Sequence, residues 1–230
     1  RYVTLSHCWG PPTKRPLRTT TSNISQHLQE IPWHALPPTF QDAITLCAEV
    51  GIQYLWIDSL CIVQDDVADW AEESVKMGRI YEEAHFTIAA SSASDSSQAH
   101  SVFAYIEPEL EKDLSGAPLN DRAWVMQEYY LSRRTVHFTQ NGLIWTCKDQ
   151  MVPTRRYITS EFGDFWVKAF EHDWSALVSS YSKRQMTYKS DKLVALQGLE
   201  ELFRERDNKT YCYGLWLEDL PQDLLWYSND

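Results

Sequence analysis

Neither glycine loop that cradles phosphates, G-x-G-x-x-G or G-x-x-x-x-G-K-[ST], occurs in the 230 residues. That absence removes an ordinary dehydrogenase or nucleoside triphosphatase, and leaves nucleotide binding in a differently built α/β crevice open. No C-x-x-C pair occurs either: Cys8, Cys47, Cys61, Cys147 and Cys212 are scattered and odd in number. A disulfide framework and a structural zinc are therefore not expected, and the cysteines suit a reducing compartment. An intracellular, cytoplasmic protein is the expectation, with the nucleus as the alternative. No compact His/Cys/Asp/Glu pattern marks a metal, so neither a metal site nor a required cofactor is expected. No apolar run approaches the roughly 20 residues that span a bilayer and no cleavable signal is visible, so no membrane span is expected. Positive charge is scarce, 21 Lys and Arg against 32 Asp and Glu, for a formal net charge of -11. A chain of that sign does not grip phosphate backbones nonspecifically, and no nucleic-acid partner is expected. The chain opens at Arg1 without a Met, so targeting or partner domains beyond its ends are an expectation.

What is abundant is apolar and aromatic. Hydrophobic residues make up 43% of the chain, enough for a full core, and the 10 Trp predict a thick core or a ring-lined cleft. Tyr2 to Leu5 reads as a strand, halted after Gly10 by two prolines. Thr39 with Asp42 resembles a capping box, and Phe40, Ala43, Ile44, Cys47 and Val50 recur at helical spacing up to a stop at Gly51. Ile52 to Ile57 is a second strand, Asp69 to Tyr81 a helix placing Glu73, Met77 and Ile80 on one face, and Phe86 to Ala90 a third strand. Ser91 to Ser101 and the acidic run Glu107 to Asp113 read as a mobile loop. Arg122 to Glu128 opens a short helix, and Val136 to Thr139 and Leu143 to Thr146 flank Asn141-Gly142 as a hairpin. Two helical stripes follow, Phe162, Trp166, Phe170, Trp174 and Leu177, then Leu193, Leu196, Leu199, Leu202 and Phe203. Aromatics gather again between Tyr211 and Tyr227.

Strand, helix, strand, helix, strand implies an α/β fold, a largely parallel sheet covered by helices, whose ligands bind beyond the carboxyl ends of the strands. Residues 1–150 are read as this core with its hairpin, and 151–230 as a mainly helical extension packed on the same domain.

Three segments stand in order along the chain: Tyr2-Val3-Thr4-Leu5-Ser6-His7-Cys8-Trp9-Gly10, then Tyr54 to Asp66 running on into Trp70, Glu73, Met77, Ile80 and Tyr81, then Arg122-Ala123-Trp124-Val125-Met126-Gln127-Glu128 with Leu131-Ser132 and the hairpin. Together they resemble the HET domain, the module named for fungal heterokaryon incompatibility. His7 stands where Tyr is common and Val63 where Asn or Ile is often seen, departures that remove no essential group. The resemblance implies a nonself-recognition and programmed-cell-death effector, with a TIR-like or flavodoxin-like core, similar to the Toll/interleukin-1 receptor domain. That wider group holds both adaptors and NAD-cleaving enzymes. NAD is accordingly a candidate nucleotide substrate, cleaved at the nicotinamide glycosidic bond. The alternatives are a non-enzymatic adaptor assembling as a homo-oligomer or with a signalling partner, and an enzyme acting on another small molecule.

Asp58, leaving the second strand, has two readings: a turn cap, or a carboxylate for ribose or a catalytic group. Glu73 takes the catalytic carboxylate role by analogy with the enzyme members of the wider fold, against a plain salt bridge. Ser6, His7, Trp9 and Gly10 follow the first strand and are candidate nucleotide-binding residues, as are Arg122 and Glu128, which are equally able to form an internal latch. Cys61 reads first as a small buried residue; as a nucleophile it would need His7 or His137 brought to it by the fold.

Overall fold

The computed structural model describes residues 1–97, 114, 116–147, 150–153, 173–220 and 224. The expected loop over Glu107 to Asp113, the stripe positions Phe162, Trp166 and Phe170, and Tyr227 lie outside the described residues.

A single six-stranded sheet carries the site. Its strands are β1 (Val3–Ser6), β2 (Leu55–Ile57), β3 (Thr87–Ala89), β4 (Arg134–Phe138), β5 (Leu143–Cys147) and β6 (Gln150–Pro153), in the spatial order β2-β1-β3-β4-β5-β6. The first four run parallel and the last two return antiparallel. The 2-1-3-4 order is that of a flavodoxin-like doubly wound sheet, in which the chain reverses its direction of winding between β1 and β3. The expected mostly parallel α/β fold is therefore present, with the hairpin and C-terminal helices added to it.

The sheet's two faces differ because β1 alternates. Val3 and Leu5 point to the side covered by α2 (Pro38–Glu49), where Phe40, Ala43, Cys47, Ile57 and Ile88 complete an apolar core. Thr4 and Ser6 point to the other side, where hydroxyls link the strands: Thr4 Oγ1 lies 2.7 Å from Thr87 Oγ1, which lies 2.6 Å from Ser132 Oγ. This second face is covered by α4 (Val67–Glu83) and α5 (Trp124–Leu131), which follow the short helices α1 (Ile24–His27) and α3 (Asp58–Cys61) in the chain. The C-terminal helices α6 (Trp174–Ser182) and α7 (Gln197–Asp207) add a third aromatic-rich core with α5 through Trp174, Leu177, Tyr181, Leu199 and Phe203. A small hairpin of β7 (Tyr211–Cys212) and β8 (Leu215–Trp216) closes it with Trp216.

Local chemistry explains where elements begin. Helix α2 starts at Pro38, whose fixed φ suits the first helical position and whose missing N–H costs nothing there, and its N-cap residue, Pro37, supplies no side-chain bond. The helix thus begins one residue before Thr39, which the expected capping box places at its start. Asp66 does cap α4, accepting from the backbone N–H groups of Ala68 at 2.9 Å and Asp69 at 3.2 Å. The buried face of α4 is Ser74, Met77, Gly78 and Tyr81, the i, i+3, i+4, i+7 set of one helical stripe.

Helices α4 and α7 meet backbone to backbone at Gly78 and Gly198. A Cβ on Gly198 would fall 2.8 Å from Leu131 Cδ1 and 3.0 Å from the Gly78 Cα. Gly198→Ala is expected to force the helices apart and lower unfolding free energy by about 1–3 kcal/mol, the usual cost of overfilling a core. Denaturant titration checks this, with Gly214→Ala unsuitable as a control because its φ of 98° is itself demanding.

Candidate functional site

The carboxyl edge of β1 and β2 gathers polar side chains from three separate stretches of sequence. Ser6, the last residue of β1, donates its hydroxyl to Glu128 Oε2 on α5. His7 leaves the strand with its ring edge-on to Phe40, centroids 5.0 Å apart. Its Nε2 lies 3.2 Å from Asp58 Oδ1 and its Nδ1 3.2 Å from the Cys8 carbonyl oxygen. Both partners are acceptors while Asp58 is ionised, so a proton on either ring nitrogen has an acceptor within reach. Trp9 Nε1 donates to Asp58 Oδ2 at 2.8 Å, and the Ser59 N–H to Asp58 Oδ1 at 2.7 Å. Arg122 closes the group by donating from Nη1 to the His7 carbonyl oxygen. Its own stretch is tied down by Ala123 N–H donating to the Gln185 carbonyl at 2.9 Å, and Gln185 N–H to that of Asp121 at 2.6 Å.

The two carboxyls are biased in opposite directions. Burial alone would raise the Asp58 pKa, but the hydrogen bond and charge of His7, the Arg122 guanidinium and the Trp9 N–H together hold it below the usual carboxylate range. Glu128 is only 2% exposed. Burial pushes its pKa up, and Arg122 and the Ser6 hydroxyl pull it back without undoing the rise, to which the Asp58 charge adds. Tyr81 Oη donates to the Leu5 carbonyl at 3.4 Å. Its phenol is held well above its ordinary value by burial and by the charges of Glu128 and Asp58, so it stays neutral. Paired carboxyls driven apart in this way are biased toward opposite protonation states.

Ser6, His7, Trp9, Asp58, Arg122 and Glu128 are thus brought together. Gly10 stands beside them but serves a close loop crossing: with φ 73°, a Cβ there would lie 2.6 Å from Asp95 Cβ. Glu73 is placed elsewhere. It lies on the partly exposed side of α4, where Lys76 Nζ donates to Glu73 Oε1 at 2.8 Å and to Glu72 Oε1 at 2.6 Å. Among the described residues no hydrogen bond links Glu73 to Asp58 or Ser6.

Cys61 corrects its leading expectation. It ends the one-turn helix α3 and is exposed rather than buried. Neighbouring atoms nonetheless desolvate the thiolate, and the charges of Asp58 and Glu73 add to this, so the thiol pKa is raised despite a hydrogen bond involving the Ile57 backbone. A thiol so placed is poorly ionised at neutral pH and is not an activated nucleophile. His137 belongs to a different group on β4: its Nε2 is 3.0 Å from Thr146 Oγ1 and its Nδ1 3.4 Å from Ser91 Oγ, and burial pushes its pKa down to about 3.

Sequence reasoning missed three supporting residues. Thr19 donates its N–H to the Ser59 carbonyl at 2.9 Å and its hydroxyl to that of Leu60 at 2.7 Å, and Gln64 Nε2 donates to the Asp58 carbonyl at 3.0 Å. Tyr81 is the third. Gln64 and Tyr81 fall within the HET-like segment, but no local pattern gives any of the three a part at the site, because each contact depends on segments far apart in sequence or on side chains brought together at the sheet edge. A hollow of about 580 Å³ lined by Val50, Tyr54, Phe86, Val136 and Trp145 opens at the opposite, amino end of the strands and receives none of the cluster.

Fold and cluster together define a doubly wound α/β domain with a charged junction at the carboxyl edge beside its point of strand reversal. Residues 2–115 match the family model described as Heterokaryon incompatibility protein (HET), and the chain belongs to that family. Membership implies a role in fungal nonself recognition and cell-death signalling. No curated protein and no solved structure matches the chain. Among the described residues, no helix is long and apolar enough to cross a membrane, and no group of three or more His, Cys, Asp or Glu side chains is placed to hold a metal ion.

Proposed function

We propose that this domain acts in nonself recognition by cleaving NAD at the bond between nicotinamide and ribose, with Asp58 as the reacting carboxylate. The observation that supports this reading is the opposite bias of Asp58 and Glu128 within one hydrogen-bonded group at the carboxyl edge. As the glycosidic bond breaks, nicotinamide departs with the bonding electron pair as a neutral ring and the ribose C1′ becomes electron-poor. An ionised carboxylate held beside C1′ stabilises that charge. Water then adds to C1′, and its proton passes to Asp58 and on to solvent, giving nicotinamide, ADP-ribose and one proton. Trp9 offers a ring face for stacking and Arg122 further N–H donors for ribose or phosphate oxygens. Glu128, too buried to touch substrate, positions Ser6, and in this reading Glu73 carries no part of the reaction.

A second reading has its own support. Ser6 and His7 are each 1% exposed and Glu128 2%, so the same network serves equally as an internal latch joining β1, the start of α3 and α5. The family motifs are then structural, and the output is assembly with like or unlike partners.

Incubating the purified protein with NAD and following nicotinamide by chromatography separates the two. The cleavage reading predicts release that falls about 100-fold or more in folded Asp58→Asn and stays near wild type in Glu73→Ala. Loss of release in Glu73→Ala would move the reacting carboxylate to α4. No release from folded wild-type protein, including at concentrations where it assembles, would overturn cleavage in favour of the adaptor.

A further inference from the structure

The chain as a whole is acidic, yet no Asp or Glu occurs before Glu30, and the loop between Gly10 and Thr19 reads Pro-Pro-Thr-Lys-Arg-Pro-Leu-Arg. Both ends of this loop are fastened at Asp58. Two residues before it, Trp9 donates to Asp58 Oδ2 at 2.8 Å, and directly after it, Thr19 bonds the carbonyls of Ser59 and Leu60 in the helix that Asp58 begins. The loop's own shape is restricted by Pro11, Pro12 and Pro16, each with its φ fixed, and by a 3-10 turn over Pro12–Lys14. Pro16 is buried and Leu17 packs against the α2 core, while Lys14 and Arg18 are exposed and Arg15 is half-buried. Lys14 Nζ lies 3.5 Å from Asp95 Oδ2. Among the described residues neither Arg15 nor Arg18 has a carboxylate at ion-pair distance, although Arg18 is close enough to Asp65 to help hold that carboxyl ionised.

We propose that loop 11–18 is the pyrophosphate-binding rim of the Asp58 site, with Lys14, Arg15 and Arg18 taking the phosphates of a dinucleotide substrate. This inference rests on the NAD-cleavage reading for its substrate. The physical need is plain: a site built around an ionised carboxylate repels an anionic ligand, and cations on the bordering loop offset that repulsion. Two guanidiniums that have no bonded carboxylate among the described residues present paired N–H donors that match phosphate oxygens. Fixing them on a proline-restricted loop lowers the ordering cost of the contact.

Titration calorimetry with inorganic pyrophosphate at low salt tests the rim without turnover. Wild-type protein is expected to bind it, with affinity falling steeply as salt is raised. Arg15→Gln/Arg18→Gln is expected to weaken binding about tenfold or more, while Arg15→Lys/Arg18→Lys retains part of it. Lys76→Gln/Arg79→Gln, which removes two cations from α4, serves as the control and binds as wild type does. No binding to wild-type protein, or equal binding by the Arg15→Gln/Arg18→Gln variant, overturns the rim. Pyrophosphate binding that depends on Arg15 and Arg18 in a protein releasing no nicotinamide leaves the rim standing and removes the cleavage reading. Nicotinamide release with a KM for NAD unchanged by Arg15→Gln/Arg18→Gln removes the rim and leaves cleavage standing.

Discussion

Arg122→Ala is expected to cost about 3 kcal/mol of unfolding free energy at pH 7, the upper end of the range for buried polar groups left unpaired, because the neighbouring carboxyls lose a cation as well. The substitution removes the donor to the His7 carbonyl and the cation that lowers the pKa of both Asp58 and Glu128. Two carboxyls are then left near each other without the guanidinium. The deficit has a pH signature. Without Arg122 both carboxyls shift upward, so the native state binds protons more readily, and acidification relieves the repulsion. The difference from wild type, read by urea titration, is therefore expected to shrink from pH 7 toward pH 4. A deficit independent of pH would mean that Arg122 acts only through packing.

Asp58→Ala is expected to cost a similar amount, about 3 kcal/mol, by a different route. The His7 ring, 1% exposed, and the Trp9 N–H lose their shared acceptor, and buried donors left unpaired cost about 1–3 kcal/mol each. The sign of the pH effect follows from the depressed pKa. In wild type the contribution of Asp58 is fully present above its unfolded value of about 3.9 and is lost as pH falls through the lower folded value. Glu128 behaves oppositely: its raised pKa contributes stability present below about 4.3 that is lost as pH rises through the folded value. Asp58→Asn should accordingly flatten the acid limb of the stability curve, and Glu128→Gln the limb just above it. Thermal midpoints across pH 2.5 to 7 separate the two limbs.

The strand ends that carry the cluster were legible because a β-run breaking into polar residues is a local event. Tyr2 to Leu5 before Ser6-His7, and Leu55 to Ile57 before Asp58, show it directly. That Arg122 and Glu128 would close on the same junction required the parallel pairing of β1 with β2 and β3, which no spacing in the sequence encodes. Glu73 illustrates the limit of helical periodicity. It shares a side of α4 with Met77 by the i, i+4 rule, but the buried stripe is centred on Ser74, Gly78 and Tyr81, which turns Glu73 toward Lys76 at the rim.

Element boundaries failed for similar reasons. Ile52 to Tyr54 has strand-forming residues, yet pairing begins only at Leu55, because β1 offers its first partner at Val3. Leu193 fits the stripe of α7 by spacing but is 44% exposed, since two 3-10 turns precede Gln197 and change the phase. Strand β6 escaped notice because Gln150 to Pro153 lacks alternation and ends in proline, which the sheet tolerates at its edge.

One junction biases Asp58 toward its ionised form and Glu128 toward its acid form. Carbon-detected NMR of the side-chain carboxyls over a pH titration measures it directly. Asp58 is expected to titrate below about 3.9 and Glu128 above about 4.3, with both moved upward in Arg122→Ala. Coincident titration of the two carboxyls at ordinary values would contradict it.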